Sequence, residues 1–69
     1  MDEMILSNEQ IGELVDSWIR GRHGERNRKI LKMRLIDGLT FEALAECVDM
    51  SVSQVKRIVY AGSEIIFSK

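Results

Sequence analysis

Apolar residues in the first third of the chain recur at the spacing of one helix face. They occupy positions i, i+3, i+4, i+7 and i+8 of a segment that begins after Ser7, a pattern typical of an amphipathic helix. Ser7 and Gln10 have the S-x-x-Q spacing of a capping box, and Leu6 is placed to pack onto the start of the helix. The predicted helix ends in the loop 21–24. It directs an apolar stripe into the core: Ile11, Leu14, Val15, Trp18 and Ile19.

The same reasoning predicts three more helices. A second helix is expected over 25–37, with Gly38 as its C-terminal stop. It has too many apolar residues for one narrow stripe, so some must face the first helix and some the rest of the chain. A third helix should begin after Thr40, and a fourth after Ser51, where S-x-x-Q recurs. The fourth helix should fray or bend at 62–63. The predicted fold is all-α, a compact four-helix domain.

The stretch 38–58 has the spacing of a helix-turn-helix, formed by the third and fourth helices. The small residue Ala45 falls where two helices must cross closely, and a tight connection follows at 49–50. The apolar positions that agree with the motif are Leu44, Ala45, Val48, Met50, Val55 and Ile58. This unit commonly places its second helix in the major groove of DNA. A small helical hairpin with no nucleic-acid partner is the alternative, and the agreement at so many positions favours DNA binding.

Charge is strongly segregated, although the net charge of the chain is only −1. Residues 1–19 carry −5, residues 20–34 carry +6, residues 35–49 carry −4 and residues 50–69 carry +2. Such a distribution can present one positive face while the whole chain is acidic. A solvated basic helix face without a partner is the alternative. Because the basic run directly precedes the helix-turn-helix, we expect it to contribute to DNA binding, with Arg28 contacting phosphates of any sequence.

Residues that carry catalysis or bind metals are scarce. Cys47 is the single cysteine, which fits a reducing cytoplasm, and it is expected to be a packing residue of the third helix. His23 has no partner at metal-ligand spacing and is expected to be an exposed loop residue. The chain has no glycine-rich phosphate loop and no H-E-x-x-H motif. We expect no enzymatic activity, cofactor or metal. No apolar run approaches the ~18 residues of a membrane span, so a cytoplasmic chain with no membrane partner is expected.

Residues 25–58, ERNRKILKMRLIDGLTFEALAECVDMSVSQVKRI, resemble region 4 of the sigma-70-type RNA polymerase sigma factors. The resemblance lies in R-x-x-I-L-x-x-R-L, a glycine-bearing turn, T-F-E-A-L-A, a short turn and S-x-S-Q-V-K-R-I. It covers about half of the chain closely and the last helix loosely. Small phage and mobile-element proteins carry much the same pattern, and a protein of that type is expected. The family implies an all-helical domain that binds promoter DNA through its last helix, with RNA polymerase as a further partner.

The resemblance also implies which residues would meet DNA. The base-reading positions of the family fall on Val52, Ser53, Gln54, Lys56 and Arg57. Its phosphate contacts fall near Arg34, Thr40 and Tyr60. Arg57 can pair with a guanine through two hydrogen bonds, whereas Lys56 is a point charge. Gln54 has a second role open to it, as the partner of Ser51 in the capping box. Tyr60 could instead cover the core with its ring.

The chain departs from the family pattern at two points. Asp49 stands where the turn usually has glycine, and aspartate tolerates a left-handed backbone moderately well. Val52 and Ser53 stand where sigma factors usually place an arginine and a glutamate to read bases. These substitutions leave the sequence preference of the fourth helix open.

The interpretation divides a single domain, 1–69, into three parts: an acidic N-terminal helix and loop (1–24), a region 4-like core (25–62) and an apolar tail (63–69). In the tail, Ile65, Ile66 and Phe67 cannot all face one small core, and we expect them to form a symmetric homodimer contact. Cover by the apolar N-terminal end within one chain is the alternative. The competing function is a protein-interaction module that binds RNA polymerase or another partner without reading DNA.

Overall fold

The computed structural model describes residues 6–68, which form four helices joined by short connections. In chain order the helices are α1 (Asn8–Trp18), α2 (Gly24–Leu35), α3 (Phe41–Val48) and α4 (Val52–Phe67). This part of the chain contains no strand. The all-α, four-helix fold is confirmed. Helix α2 packs against each of the other three helices, and α4 makes its most extensive contact with α2.

Hydroxyl side chains fix the beginnings of three helices. Ser7 and Ser51 each accept a hydrogen bond from the backbone amide three residues later, at 3.2 Å in both cases. Gln10 and Gln54 complete the two capping boxes by accepting from the backbone amides of these serines. At the start of α3, the Thr40 hydroxyl accepts from the backbone amide of residue 43 at 3.1 Å. All three predicted caps are confirmed. Each satisfies an amide that has no partner within its helix.

Helix α2 is shifted slightly from its expected span of 25–37. It begins one residue earlier, at Gly24, because the chain turns back tightly from the end of α1. A Cβ at Gly24 would lie 3.0 Å from a guanidinium nitrogen of Arg28, so the close approach favours glycine. At the other end the helix stops two residues earlier than expected, at Leu35. Gly38 then adopts a φ of 75°, which favours glycine, and the chain turns into α3.

The core is built around α2. The largest fully buried side chains come from all four helices: Val15, Ile30, Leu31, Leu44, Val55 and Ile66. Ile11 of α1 and Ile19, directly after its end, join this cluster, so the acidic N-terminal helix is packed onto the remainder of the described chain. No helix in the described residues is long and apolar enough to cross a membrane.

The prediction that Trp18 lies in the core is wrong, because its side chain is 47% exposed. Trp18 is the last residue of α1. The next residue, Ile19, leaves the helix with an extended backbone and is buried in its place. Trp18 instead lines one side of a shallow groove, opposite Ala61 and Ile65 of α4.

Helix α4 continues through Gly62 to Phe67, so the predicted fraying is wrong, while the alternative of a bend stays a prediction. Gly62 is buried, and an added Cβ would overlap the side chain of Leu31. This glycine therefore serves the close packing of α4 on α2.

The dimer contact predicted through three tail residues is wrong at Ile66, which is only 2% exposed and belongs to the core of the same chain. Ile65 and Phe67 remain exposed, but residues two apart on a helix point about 200° apart and cannot form one patch. A homodimer through either of them stays a prediction. Of the N-terminal residues in the alternative, Met1, Met4 and Ile5 lie outside the described residues, while Leu6 packs against the core cluster.

Candidate nucleic-acid interface

The turn between α3 and α4 is closed by a left-handed residue. Asp49 has φ 57° and ψ 49°, and the backbone amide of Met50 donates to the carbonyl of Ala45 at 3.0 Å. The left-handed conformation costs a residue other than glycine roughly 1–2 kcal/mol. Aspartate nevertheless occupies the position that usually holds glycine in this type of turn, and the turn survives the substitution. The geometry therefore sets α4 directly after α3, as a helix-turn-helix requires.

The first half of α4 presents a polar face to the solvent. Ser53, Lys56, Arg57 and Tyr60 are all exposed, and the i, i+3, i+4, i+7 spacing puts them on one side of the helix. Val55 and Val59 occupy the opposite side, where both are buried. The turn thus fixes the helix by its apolar face and leaves the polar face open.

Two of the predicted base-reading residues also have structural roles, and their contact with bases stays a prediction. Val52 is half-buried and packs against the core cluster. Gln54 is exposed, but its Oε1 accepts from the backbone amide of Ser51 at 3.1 Å. The capping role of Gln54 is therefore confirmed. Its Nε2 is the atom left for any further hydrogen bond.

The structure brings together Arg34, Thr40 and Tyr60, the residues expected near phosphates. Phe41, which the sequence analysis did not single out, lies at the centre of the group. The Arg34 guanidinium carbon is 4.4 Å from the centroid of its ring, and the Tyr60 ring meets it edge-on at 6.0 Å. Lys56 reaches the same ring, with Nζ 5.7 Å from the centroid. The alternative that Tyr60 covers the core is wrong, because 61% of its side chain is exposed.

On the side of α4 away from the Phe41 group lie two further residues with basic side chains, His23 and Arg26. His23, in the exposed loop expected for it, and Arg26, at the start of α2, line a notch together with Gln54 and Arg57. Arg26 donates from Nε to Oδ1 of Asn27 at 3.3 Å. This placement could not be predicted from the sequence, because the relative orientation of α2 and α4 cannot be obtained from helical spacing alone.

The basic run 20–34 does not form one positive face. Arg28 donates from a terminal guanidinium nitrogen to the carbonyl of Ile19 at 2.9 Å, which ties the end of α1 to α2. Lys32 pairs with Asp16 of α1 at 2.9 Å. Lys29 lines the same shallow depression as these two cations and Asp16. The run therefore serves partly to bind the acidic first helix. A basic residue near a helix C-terminus, where carbonyls lack partners, is the signal that could have indicated this.

The outer surface of α3 is acidic. Glu42, Glu46 and Asp49 are all exposed. Cys47 is exposed as well, so the expectation that it packs in the core is wrong. The buried face of α3 is centred on Leu44 and the alanine after it, and Cys47 falls to one side of that face. No group of residues in the described part of the chain could hold a metal ion.

Comparison with known families identifies this arrangement. The model of the family described as "Sigma-70, region 4" matches residues 24–62, more than half of the chain. The chain belongs to the sigma-70 region 4 family. This is a family of DNA-binding helix-turn-helix domains that act in transcription and are not enzymes. The resemblance seen at 25–58 is confirmed.

The matched residues of the sigma-70 region 4 domain include α2, α3 and most of α4, and thus the candidate interface except His23. Helix α1 and the last turn of α4 lie outside the match. No characterised protein and no solved structure matches the chain significantly. The phage or mobile-element type, the cytoplasmic location and the three-part division of the chain stay predictions.

Proposed function

We propose that this sigma-70 region 4 protein is a sequence-specific regulator of transcription that places the first half of α4 in the major groove of double-stranded DNA. The observation that carries the proposal is the outward face of this helix, where Ser53, Lys56 and Arg57 are exposed together. No carboxylate occurs among residues 52–60, so nothing on this stretch of helix repels the DNA backbone.

The exposed residues differ in what they can recognise. Arg57 has a guanidinium fork that can donate two hydrogen bonds to O6 and N7 of a guanine. Ser53 precedes it by one turn, and its short side chain lets the helix approach the base edges closely. Lys56 leans toward Phe41 at the edge of the helix face, which suits a phosphate better than a base. Arg57 is therefore the residue to which we assign base reading.

Two flanks of α4 suit the two strands that border the groove. The major groove is ~12 Å wide, so a helix lying in it has phosphates on both sides. On one side stand Arg34, Thr40 and Tyr60, gathered around the Phe41 ring. On the other side stands Arg26, which shares a notch with Arg57. Contacts of this kind fix the register of a protein on DNA, while base contacts supply the sequence preference.

The experiment is a selection from a random-sequence duplex pool, followed by titrations of the selected site and of the unselected pool. The wild type should enrich a short motif, with log affinity falling by roughly 3–4 per unit of log salt concentration, from about 0.9 per neutralised phosphate. Arg57→Ala should weaken binding to the selected site by about 1–3 kcal/mol and equalise the preference at one base pair. It should change binding to the pool much less.

Lys29→Ala is the matched control. Lys29 is also an exposed cation, but it lies among Asp16, Arg28 and Lys32 on the α1 side of α2. Its loss should leave the selected motif unchanged. Equal losses on the selected site and on the pool would show that Arg57 contacts only phosphate, and absence of any duplex binding at low salt would refute the proposal.

Protein binding by the second half of α4 is the second candidate function. Trp18, Ala61 and Ile65 line an apolar groove beside this half, and residues 61–68 contain no cation. Region 4 domains of the family bind RNA polymerase as well as DNA. A chain that binds RNA polymerase core enzyme, while no duplex is enriched from the pool, would replace the DNA-reading proposal with this one.

A further inference from the structure

Phe41 lies where three helices meet beside the proposed DNA-binding face. Its half-buried ring, at the start of α3, receives Arg34 from α2 and both Lys56 and Tyr60 from α4. The guanidinium carbon of Arg34 and Nζ of Lys56 lie 4.4 Å and 5.7 Å from the ring centroid. The Tyr60 ring meets Phe41 at 72°, in an edge-on contact.

Two cations beside one ring form an unusual local charge distribution. Within residues 6–68, neither Arg34 nor Lys56 forms an ion pair, although α3 carries exposed carboxylates. The ring attracts each cation through its negative face, and it does so without neutralising the charge. Arg34 is further fixed by donating from a terminal guanidinium nitrogen to the carbonyl of Leu39 at 2.8 Å. Both positive charges therefore stay available to an anion.

The contact with the Phe41 ring restricts the conformations of the Lys56 side chain. A free lysine side chain samples many rotamers, and most of that freedom is lost when its ammonium group binds a phosphate. A side chain already held against an aromatic face loses less on binding. Tyr60, whose hydroxyl can donate to a phosphate oxygen, is oriented by the same ring.

We propose that Phe41 is a positioning residue for one DNA backbone phosphate, because its ring holds Lys56, Arg34 and Tyr60 in the arrangement that binds it. The inference rests on the proposed function, in which α4 enters the major groove. The ligand is a phosphodiester of the strand beside α3, and Phe41 need not touch it. Thr40 adds a hydroxyl next to the ring, at the N-terminus of α3.

The test is a double-mutant cycle on the full chain, with duplex DNA titrated by fluorescence anisotropy. Phe41→Leu keeps an apolar side chain in the core but removes the aromatic face, and it should weaken binding about 2- to 5-fold. Lys56→Ala should weaken wild-type binding more than it weakens binding of the Phe41→Leu variant, because the ring no longer orders Lys56 in the latter. Phe41→Tyr should bind as the wild type does.

Two further measurements separate positioning from a general structural role. The Lys56 ε-methylene protons should show an upfield ring-current shift by NMR in the absence of DNA, and Phe41→Leu should abolish it. Phe67 is an exposed phenylalanine at the end of α4. Phe67→Leu should change neither the ring-current shift of Lys56 nor the affinity for duplex DNA.

Three results would each overturn the positioning role of Phe41 while wild-type DNA binding stands. They are additive losses of affinity from Phe41→Leu and Lys56→Ala, weak DNA binding by Phe41→Tyr, and the absence of a ring-current shift at Lys56. A wild type that binds no duplex at low salt would overturn both this inference and the proposed function.

Discussion

Replacing Gly62 by alanine tests whether α4 is held against α2 by close packing. Gly62 lies in the interior of α4 with an ordinary helical backbone, and it is buried against Leu31. A Cβ at this position would overlap the end of the Leu31 side chain. Leu31 is itself fully buried, so little free space remains into which its methyl groups could move.

The magnitude follows from two opposing contributions to the free energy of unfolding. Alanine is more favourable than glycine in a helix interior by about 1 kcal/mol. An extra methyl in a well-packed core costs about 1–3 kcal/mol. Gly12→Ala, in the interior of α1, is the matched control, because its Cβ would meet only Ile36 Cδ1 at 3.9 Å. The helix contribution cancels between the two variants, so Gly62→Ala should be the less stable by about 1–3 kcal/mol.

Urea and thermal denaturation followed by circular dichroism measure this difference. We expect Gly12→Ala to stabilise the chain by about 0.5–1 kcal/mol. Gly62→Ala should melt at least ~4 °C below it, given the dependence of Tm on stability in a domain of this size. Equal stabilisation by both substitutions would refute the reasoning, because it would show that Leu31 yields freely and that Gly62 is not required by the helix contact.

Two further predictions concern the tail and the turn. Ile66→Ala should lower the free energy of unfolding by about 2–5 kcal/mol, whereas Ile65→Ala should change it by less than about 1 kcal/mol. Urea denaturation measures both variants. Similar losses would contradict the finding that Ile66 is buried while Ile65 is exposed. Asp49→Gly should raise the stability by about 1 kcal/mol, because glycine adopts the left-handed conformation without strain. A destabilised Asp49→Gly variant, measured in the same way, would indicate that the aspartate side chain makes a compensating contact.

The parts of the fold that depend on local interactions could be predicted from the sequence. The serine and glutamine of each capping box are three residues apart, so the bonds that begin α1 and α4 are encoded within one helical turn. The helix-turn-helix is likewise a short segment whose apolar spacing determines its geometry. The surroundings of Trp18 and Gly62 could not be predicted, because they depend on how α4 packs against α1 and α2. Helical spacing alone does not contain that packing.

In the candidate site, too, local features could be predicted from the sequence and contacts between helices could not. The exposure of Ser53 and Arg57 follows from the helical spacing of the apolar residues Val55 and Val59, which occupy the opposite face, and the resemblance to region 4 selected both. The role of Phe41 could not be predicted from the sequence, because its partners come from α2 and α4, which approach α3 only in the folded chain. Contact of Arg28 with phosphates of any sequence stays a prediction. Its hydrogen bond to the carbonyl of Ile19 shows that it also holds α1 in place.

The internal use of basic side chains bears on how the protein would find a target site. Arg28 and Lys32 attach α2 to α1, and Arg20 donates to the carbonyl of Ser17 at the end of α1. Fewer cations would then be free to displace counterions from DNA of arbitrary sequence, so we expect each encounter with such DNA to be brief. A protein held this weakly leaves and rebinds often and slides over short distances. Under the proposed function, its search for a site would therefore be dominated by repeated diffusion through solution, and its occupancy would concentrate on sites that Arg57 recognises.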